Sequence, residues 1–414
     1  MDGNEKRANF AVDKNKTLDS SRSGQRGGDG LRRFSLCSEI YLSLTPCRKT
    51  GSTIDDKKER HNMKKSLLLL FCLFGLISVC LAKPTKTFTV LQLNLWHEGS
   101  NVPNGYQGIV DVLDQVDADV VFLCEIRDFN GNKFMPRVLK DLEARGKHYY
   151  GETLGMVVGI LSKFKPDSLM RCCIVPGDEV RAMLKMVTTI DGQSISFYSC
   201  HLDYLHYECY MPRGYDGTTW KKMDKPITDE NEVLKANRMA YRDETIRSFV
   251  QEVQSDIKQG RPVIMGGDFN EPSHLDWQAD TKDLWDHNGA IIHWDCSMML
   301  HEAGFKDAYR EKYPNPVQYP GFTFPAGNKV AEQAKLEILA WAPDADERDR
   351  IDFIYYYPMN SKLSMKNSLL VGPSETVIRG KITENKSKDK FLTPSCIWPT
   401  DHKGNLVTFK IRGK

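Results

Sequence analysis

Asp268 and Asn270 stand two residues apart at the end of Pro262-Val263-Ile264-Met265-Gly266-Gly267-Asp268-Phe269-Asn270. Side chains two apart share a direction in an extended chain, so one acid and one neutral amide are aimed at one place. A carboxylate there can take a proton and an amide can hold an anionic oxygen. Taken alone, the pair fits an Asx turn equally well, because Asp and Asn are common turn formers. The same kinds of group recur at the ends of other apolar runs: Asn94, Glu125, His201, Asp352 inside Arg350-Ile351-Asp352-Phe353, and Asp401-His402 before the last run. Oxygen donors of this type suit Mg²⁺ or Mn²⁺, whereas zinc would call for more His or Cys. Two histidines with several carboxylates, and no Ser or Cys nucleophile in a recognisable turn, favour metal-assisted attack by water.

Strands whose ends converge are needed to gather these groups. Alternation and β-branched content predict strands at Thr87–Trp96, Asp119–Cys124, Val157–Leu161, Val180–Ile190, Ser194–Cys200, 262–270, Ile351–Tyr357 and Leu406–Ile411. The Gly-Gly pair at 266–267 is read as the point where the backbone leaves its strand. Asp191-Gly192 is a hairpin signal. Helical spacing covers Gly108–Val116, one long amphipathic stretch from 229 to 258, and Ser297–Glu302. Hairpins mixed with helical crossovers imply mixed sheets in an α/β protein.

Six short motifs lie in order: Gln92-Leu93-Asn94-Leu95-Trp96, Leu123-Cys124-Glu125, Ser199-Cys200-His201-Leu202, Gly267-Asp268-Phe269-Asn270, Arg350-Ile351-Asp352-Phe353 and Trp398-Pro399-Thr400-Asp401-His402. At these residues the chain resembles the endonuclease/exonuclease/phosphatase superfamily, which includes pancreatic-type deoxyribonucleases, apurinic endonucleases, bacterial sphingomyelinases and inositol polyphosphate 5-phosphatases. Each motif is weak alone, and six in the family's order are specific. The resemblance implies a four-layer sandwich, two mixed β-sheets face to face with helices outside. It implies Glu125 as principal metal ligand, with Asn94 and Asp401 beside the same Mg²⁺ or Mn²⁺. Asp268 would orient or deprotonate water, Asn270 would hold water or phosphate, His402 would pair with Asp352, and His201 would donate to a phosphoryl oxygen. Thr400 departs from the family's usual Ser and keeps the hydroxyl. His97, His206, His274, His287 and His293 read as ordinary surface or core histidines.

Charge is unevenly spread. Residues 1–65 carry fifteen Lys/Arg against nine Asp/Glu, net +6, which leaves −4 on the rest of a chain whose total is +2. A mildly acidic domain disfavours tight sequence-independent binding of duplex nucleic acid, although a local basic groove stays open. Residues 1–62 are polar and cannot bury a core. Met63-Lys64-Lys65-Ser66 and the apolar run Leu67–Leu81 then have the form of a secretory signal peptide spanning 63–82. The run falls short of the roughly 20 residues that cross a bilayer, so no transmembrane anchor is expected. The chain therefore reads as a bacterial secreted or periplasmic protein. Translation is expected to start at Met63, with 1–62 an untranslated or disordered extension and 85–412 a single catalytic domain, expected to be monomeric. Seven cysteines follow the leader, an odd number that leaves at least one thiol free. Cys124 and Cys200, in apolar strands, read as buried free thiols.

The stretch from Asp203 to Lys225 is dense in rings and has no helix or strand period, so it reads as a loop leaving the His201 strand. Folded over the site, Tyr204, Arg213, Tyr215 and Trp220 would grip an organic moiety and a second anionic group. Packing of the same rings onto the domain is the alternative. The leading expectation is a phosphoesterase acting on a small phosphodiester, phosphomonoester or lipid headgroup. The others are a nuclease acting on DNA or RNA, and an inactive binding protein on the same fold.

Overall fold

In the computed structural model the strands, in chain order, are β1 (Thr85–Asn94), β2 (Val120–Cys124), β3 (Tyr150–Leu154), β4 (Val158–Ser162), β5 (Pro166–Cys172), β6 (Met183–Ile190), β7 (Gln193–His201), β8 (Val263–Asp268), β9 (Lys306–Asp307), β10 (Asp352–Tyr357), β11 (Leu363–Val371), β12 (Thr376–Ile378), β13 (Lys381–Thr383), β14 (Phe391–Leu392) and β15 (Gly404–Arg412). The helices are α1 (Gly105–Val116), α2 (Phe134–Glu143), α3 (Glu230–Asn237), α4 (Arg242–Lys258), α5 (Asp295–Glu302), α6 (Ala308–Lys312) and α7 (Lys329–Gln333). Residues 85–127, 133–155, 157–334 and 340–413 are described. All fall in the unit Ser78–Lys414. The expected leader and the residues before it lie outside them. Among the described residues no helix is long and apolar enough to cross a membrane.

Two large sheets form among the described residues, ordered β14-β11-β15-β1-β2-β4-β3 and β5-β6-β7-β8-β10-β9, beside a two-stranded β12-β13 sheet. Each large sheet mixes a parallel core pair, β1 with β2 and β7 with β8, with antiparallel neighbours. Strand alternation sorts side chains into layers. Phe88 and Val90 of β1, Phe122 of β2 and Phe409 of β15 meet Phe197, Ile264 and Ile354 of the other sheet. Leu91 and Leu93, on the opposite face of β1, pack on Ile109 and Leu113 of α1 and Val138 of α2. Val263 and Met265 likewise pack on Ile246 and Phe249 of α4. The order is helix, sheet, sheet, helix, the expected four-layer sandwich.

Three expectations need correction. Gly266 and Gly267 lie within β8 and do not end it. They are glycine because neighbours fill the space: a Cβ on Gly266 would sit 2.7 Å from the Phe122 ring, and one on Gly267 would sit 1.9 Å from the Cys200 carbonyl oxygen. The amphipathic stretch from 229 to 258 is two helices, α3 and α4. Buried Arg242 breaks it, donating to the Asn237 backbone oxygen at 3.3 Å and its side-chain oxygen at 2.5 Å, and to the Asp203 and Leu205 carbonyls at 2.7 Å each. All seven cysteines are free thiols.

The third correction concerns 203–225. Arg213 is fully buried, pairs with Asp349 at 2.6 Å, and donates to the carbonyls of Cys209, Asp346 and Arg348. Its guanidinium is turned wholly inward, with no surface exposed to a ligand. Tyr215 is buried with Tyr207, Tyr210 and Met211 in one apolar cluster. Trp220 is half-buried, its ring 4.8 Å from that of Trp341. Only Tyr204 of the four keeps an open ring, with the Arg181 guanidinium 5.7 Å from its centre. The segment is scaffold, anchored three residues before Asp352.

Two outcomes follow. Gly267→Ala forces a Cβ into a backbone atom that cannot move aside, and is expected to lower unfolding free energy by at least about 3 kcal/mol in urea titration. Arg213→Ala strands the Asp349 carboxylate in the interior and is expected to lower it by about 3–5 kcal/mol.

Candidate active site

Parallel pairing brings strand ends to one edge. Asn94 lies beside Cys124 in the β1–β2 ladder, His201 beside Asp268 in β7–β8, and Asp352 opposite Asp268 where β10 begins. On the faces between the sheets the apolar series then turns polar. Phe88 and Val90 are followed in register by Gln92 and Asn94, Ile264 and Gly266 by Asp268, and Phe197 by Ser199 and His201. The sandwich core thus opens at one end into a buried polar pocket. Cys124 floors it, its thiol donating to the Cys200 carbonyl at 3.1 Å and accepting from the Asp268 N–H at 3.4 Å.

Asp268 is the hub. Its Oδ1 accepts from the Asn270 N–H at 2.8 Å, and its Oδ2 accepts from Asn94 Nδ2 at 2.8 Å. The same Oδ2 is 3.7 Å from His201 Nε2 and 3.9 Å from His402 Nε2. Asn270, left-handed at φ 48°, donates to the Leu202 carbonyl at 3.1 Å and lies 3.3 Å from His201 Nε2. His201 Nδ1 is buried with no hydrogen-bond partner.

His402 Nδ1 lies 2.8 Å from Asp352 Oδ2, and Gln92 donates to the other oxygen of Asp352 at 2.7 Å. Arg350 is not Asp352's partner, for it is occupied by Asp276 and Asp307. Thr323 ties this pair together. Its hydroxyl accepts the N–H groups of Ile351 and Asp352, its carbonyl accepts from Lys403, and the ring of Phe324 lies 5.0 Å from that of His402. The Thr400 hydroxyl accepts from the His402 N–H at 3.2 Å and reaches Asp401 Oδ1 at 3.4 Å.

Glu125 follows the end of β2 and turns into the pocket through its own left-handed conformation, φ 58°. Asn94 Nδ2 donates to its Oε1 at 3.2 Å while the Trp96 N–H takes Asn94 Oδ1, so Asn94 presents its nitrogen to both acids. His97 also reaches Glu125, its Nε2 3.3 Å from Oε2. Trp96, His97 and Glu98 are all left-handed, a strain of about 1 kcal/mol or more for each.

Burial sets the protonation states. It pushes Asp268 up to about 7, with Asp352 adding to it, and Asp401 up to about 7, with Glu125 adding to it. It pulls His201 down to about 4, so that imidazole is neutral. On His402 burial is outweighed by Asp352, Asp401 and Asp268, which keep it charged. On Glu125 burial is outweighed by positive charge on His201, His97, His402 and Arg127, so its carboxyl falls below the ordinary range. With His201 neutral and His97 lowered, His402 and Arg127 are the charges that remain at neutral pH. Donor atoms of Glu125, His201 and Asp268 lie within 4.8 Å of one another, as do those of Asp268, Asp352 and His402. So many acids around so little positive charge fit a hard divalent cation.

The structure therefore brings together Asn94, Glu125, His201, Asp268, Asn270, Asp352, Asp401 and His402, and leaves out Arg213 and Tyr215. Gln92, His97 and Thr323 were missed by sequence reasoning. Gln92 carried a signal, a polar residue in step with Asn94 in an apolar strand. Thr323 carried none.

The sequence model of the Endonuclease/Exonuclease/phosphatase family matches residues 91–402. An uncharacterized protein of Caenorhabditis elegans, F14F9.5, is 30% identical over 277 residues, which is 64% of this chain and 77% of that protein. Among solved structures, truncated TDP2 of C. elegans is 16% identical, with 78% of this chain and 97% of that one covered at a TM-score of 0.44. TDP2 of D. rerio, complexed with a single-strand DNA product, is 17% identical, with 78% and 99% covered at a TM-score of 0.45. The family match spans most of the chain and holds every group around Asp268 between its ends, and the chain belongs to the endonuclease/exonuclease/phosphatase family, a metal-dependent phosphoric ester hydrolase.

Proposed function

We propose that the protein is an exported enzyme that hydrolyses a P–O bond of a small phosphodiester, a phosphomonoester or a lipid headgroup, with Mg²⁺ or Mn²⁺ held at Glu125. The observation that carries this is the convergence on Asp268 Oδ2 of Asn94, His201 and His402. Glu125, flanked by Asn94 and Asp401, would hold the ion. When bound, the cation supplies neutralising charge for the phosphoryl group. Asp268 takes the proton of the attacking water, and burial beside Asp352 places its pKa near 7, where a general base is most effective. His402, charged through Asp352, directs Nε2 at the developing negative charge. Asn270 and neutral His201 act as uncharged donors to phosphoryl oxygens. An inert member of the fold would lack one of these groups, and all are present.

Export is supported by the charged start at Met63 and the short apolar run after it. A mature N-terminus near Lys83 in the secreted protein is the expected result of N-terminal sequencing, and an intact Met1 would end that part of the proposal. Substrate class is tested by product release from a panel of small phosphodiesters, phosphomonoesters, lipid headgroup esters and nucleic acids, with Mg²⁺ and with EDTA. Turnover of small esters that stops in EDTA is expected. Efficient cleavage of nucleic acid alone, with binding that weakens steeply as salt rises, would replace this reading with the nuclease one.

Glu125→Gln keeps shape and removes the charge, so turnover should collapse while the circular dichroism spectrum is unchanged. Asp268→Asn and His402→Ala should each lower kcat on the order of 10²-fold or more. Below about pH 6.5 the groups oppose one another, because His201 and His274, pulled down to about 4 by burial, add stability as pH rises. Above it the response should run in one direction. Asp268 and Asp401 hold protons up to about 7 in the folded protein, against about 3.9 unfolded. Across that window the folded state binds more protons, so stability falls as pH rises. His402, raised on folding, loses its contribution in the same sense. The Tm of the metal-free protein in EDTA should fall from about pH 6.5 to pH 8, saturating Mg²⁺ should flatten that fall, and Asp401→Asn should make it shallower without metal.

A further inference from the structure

Trp96, His97 and Glu98 follow β1 with φ of 44°, 60° and 59°, and Gly99 continues at 69°. Residues with side chains visit this region singly, so three in succession are held from outside. The end of β2 holds them. Leu95 N–H donates to the Cys124 carbonyl and Glu98 N–H to the Glu125 carbonyl, both at 3.1 Å, and Arg127 N–H donates to Glu98 Oε1 at 3.0 Å. The result is that His97 meets one atom twice. Its backbone N–H donates to Glu125 Oε2 at 3.1 Å, and its Nε2 lies 3.3 Å from that same oxygen. Its side chain is 40% exposed and that of Glu125 15%, so the imidazole stands on the open side of the carboxylate.

We propose that His97 Nε2 is a nitrogen ligand to the cation held at Glu125, and that it tilts the site toward Mn²⁺ over Mg²⁺. The proposal rests on Glu125 as the principal ligand. Two neighbouring ligands with bonds of about 2.1–2.2 Å at a right angle stand about 3 Å apart, close to the observed pair. The His97 N–H uses one lone pair of Oε2 and leaves another for an ion. A plain surface hydrogen bond between His and Glu needs no left-handed run to form, whereas placing backbone and ring on one oxygen does. Imidazole is a donor suited to first-row transition ions and adds little for Mg²⁺, which keeps oxygen ligands and water.

The test is Mn²⁺ binding to the whole protein, followed by EPR titration and by nitrogen couplings in pulsed EPR, with Mg²⁺ affinity from calorimetry. The wild type should show an imidazole nitrogen coupling that His97→Ala removes. The same substitution should weaken Mn²⁺ binding on the order of 10-fold or more, and Mg²⁺ binding far less. His97→Gln, which restores an oxygen donor, should recover Mg²⁺ affinity without the coupling. A coupling kept in His97→Ala and lost in His201→Ala would overturn the proposal, as would equal losses for the two ions or no coupling in the wild type. Glu125→Gln separates the two levels. Abolished binding supports the shared premise, while binding that persists with the His97 coupling intact overturns the role of Glu125 and upholds that of His97.

Discussion

Asp268, Asp352 and Asp401 are buried around one imidazole, and the rest of the site follows from keeping that arrangement intact. His402 Nδ1 is 2.8 Å from Asp352, and its Nε2 is 3.9 Å from Asp268 and 3.8 Å from Asp401. Carboxylates out of water at such separations repel, and each must be charge-paired, hydrogen-bonded or protonated. All three solutions are in use. Asp352 takes the imidazole and Gln92, while Asp268 takes Asn94 and a backbone N–H. Asp268 and Asp401, both pushed up to about 7 by burial, are left close to carrying a proton, which is the state a cation would displace.

Much of this was legible because a polar residue inside an apolar run conflicts with its surroundings, and such conflicts mark function. Asn94, Glu125, Asp268, Asp352 and His402 all stand out this way. The two glycines of β8 were visible but misjudged, since a missing Cβ serves a turn and a crowded strand equally, and only the Phe122 ring and Cys200 carbonyl decide between them. Arg213 was misjudged for a related reason. Its side chain could reach outward to an anion or inward to Asp349, and the carboxylate that settles the matter is 136 residues away. Local spacing cannot hold that information.

Buried arginines recur as the joints of the scaffold. Arg242 gathers carbonyls from Asp203, Leu205 and Asn237, Arg213 those from Cys209, Asp346 and Arg348, and Arg310 those from Tyr313, Tyr319 and Pro320. Irregular backbone at the site's edge leaves carbonyls without ladder partners, and a planar fork of five donors satisfies several at once. The loops around Asp268 thereby have their carbonyls satisfied, as a strand's are by its ladder. A pocket that must hold opposed charges at set distances needs walls tied in this way.

The ladder between β1 and β15 joins the two ends of the domain, pairing Thr85 with Arg412 and Gln92 with Asn405. Asn94 leaves the first of these strands and His402 enters the second. A chain emerging from the ribosome therefore carries β1, with one edge unmatched, through the synthesis of everything up to β15. Until β15 closes that edge, the ladder that leads into His402 does not hold its imidazole beside Asp352. The site is thus assembled across the ladder that joins β1 to β15, from residues more than three hundred positions apart.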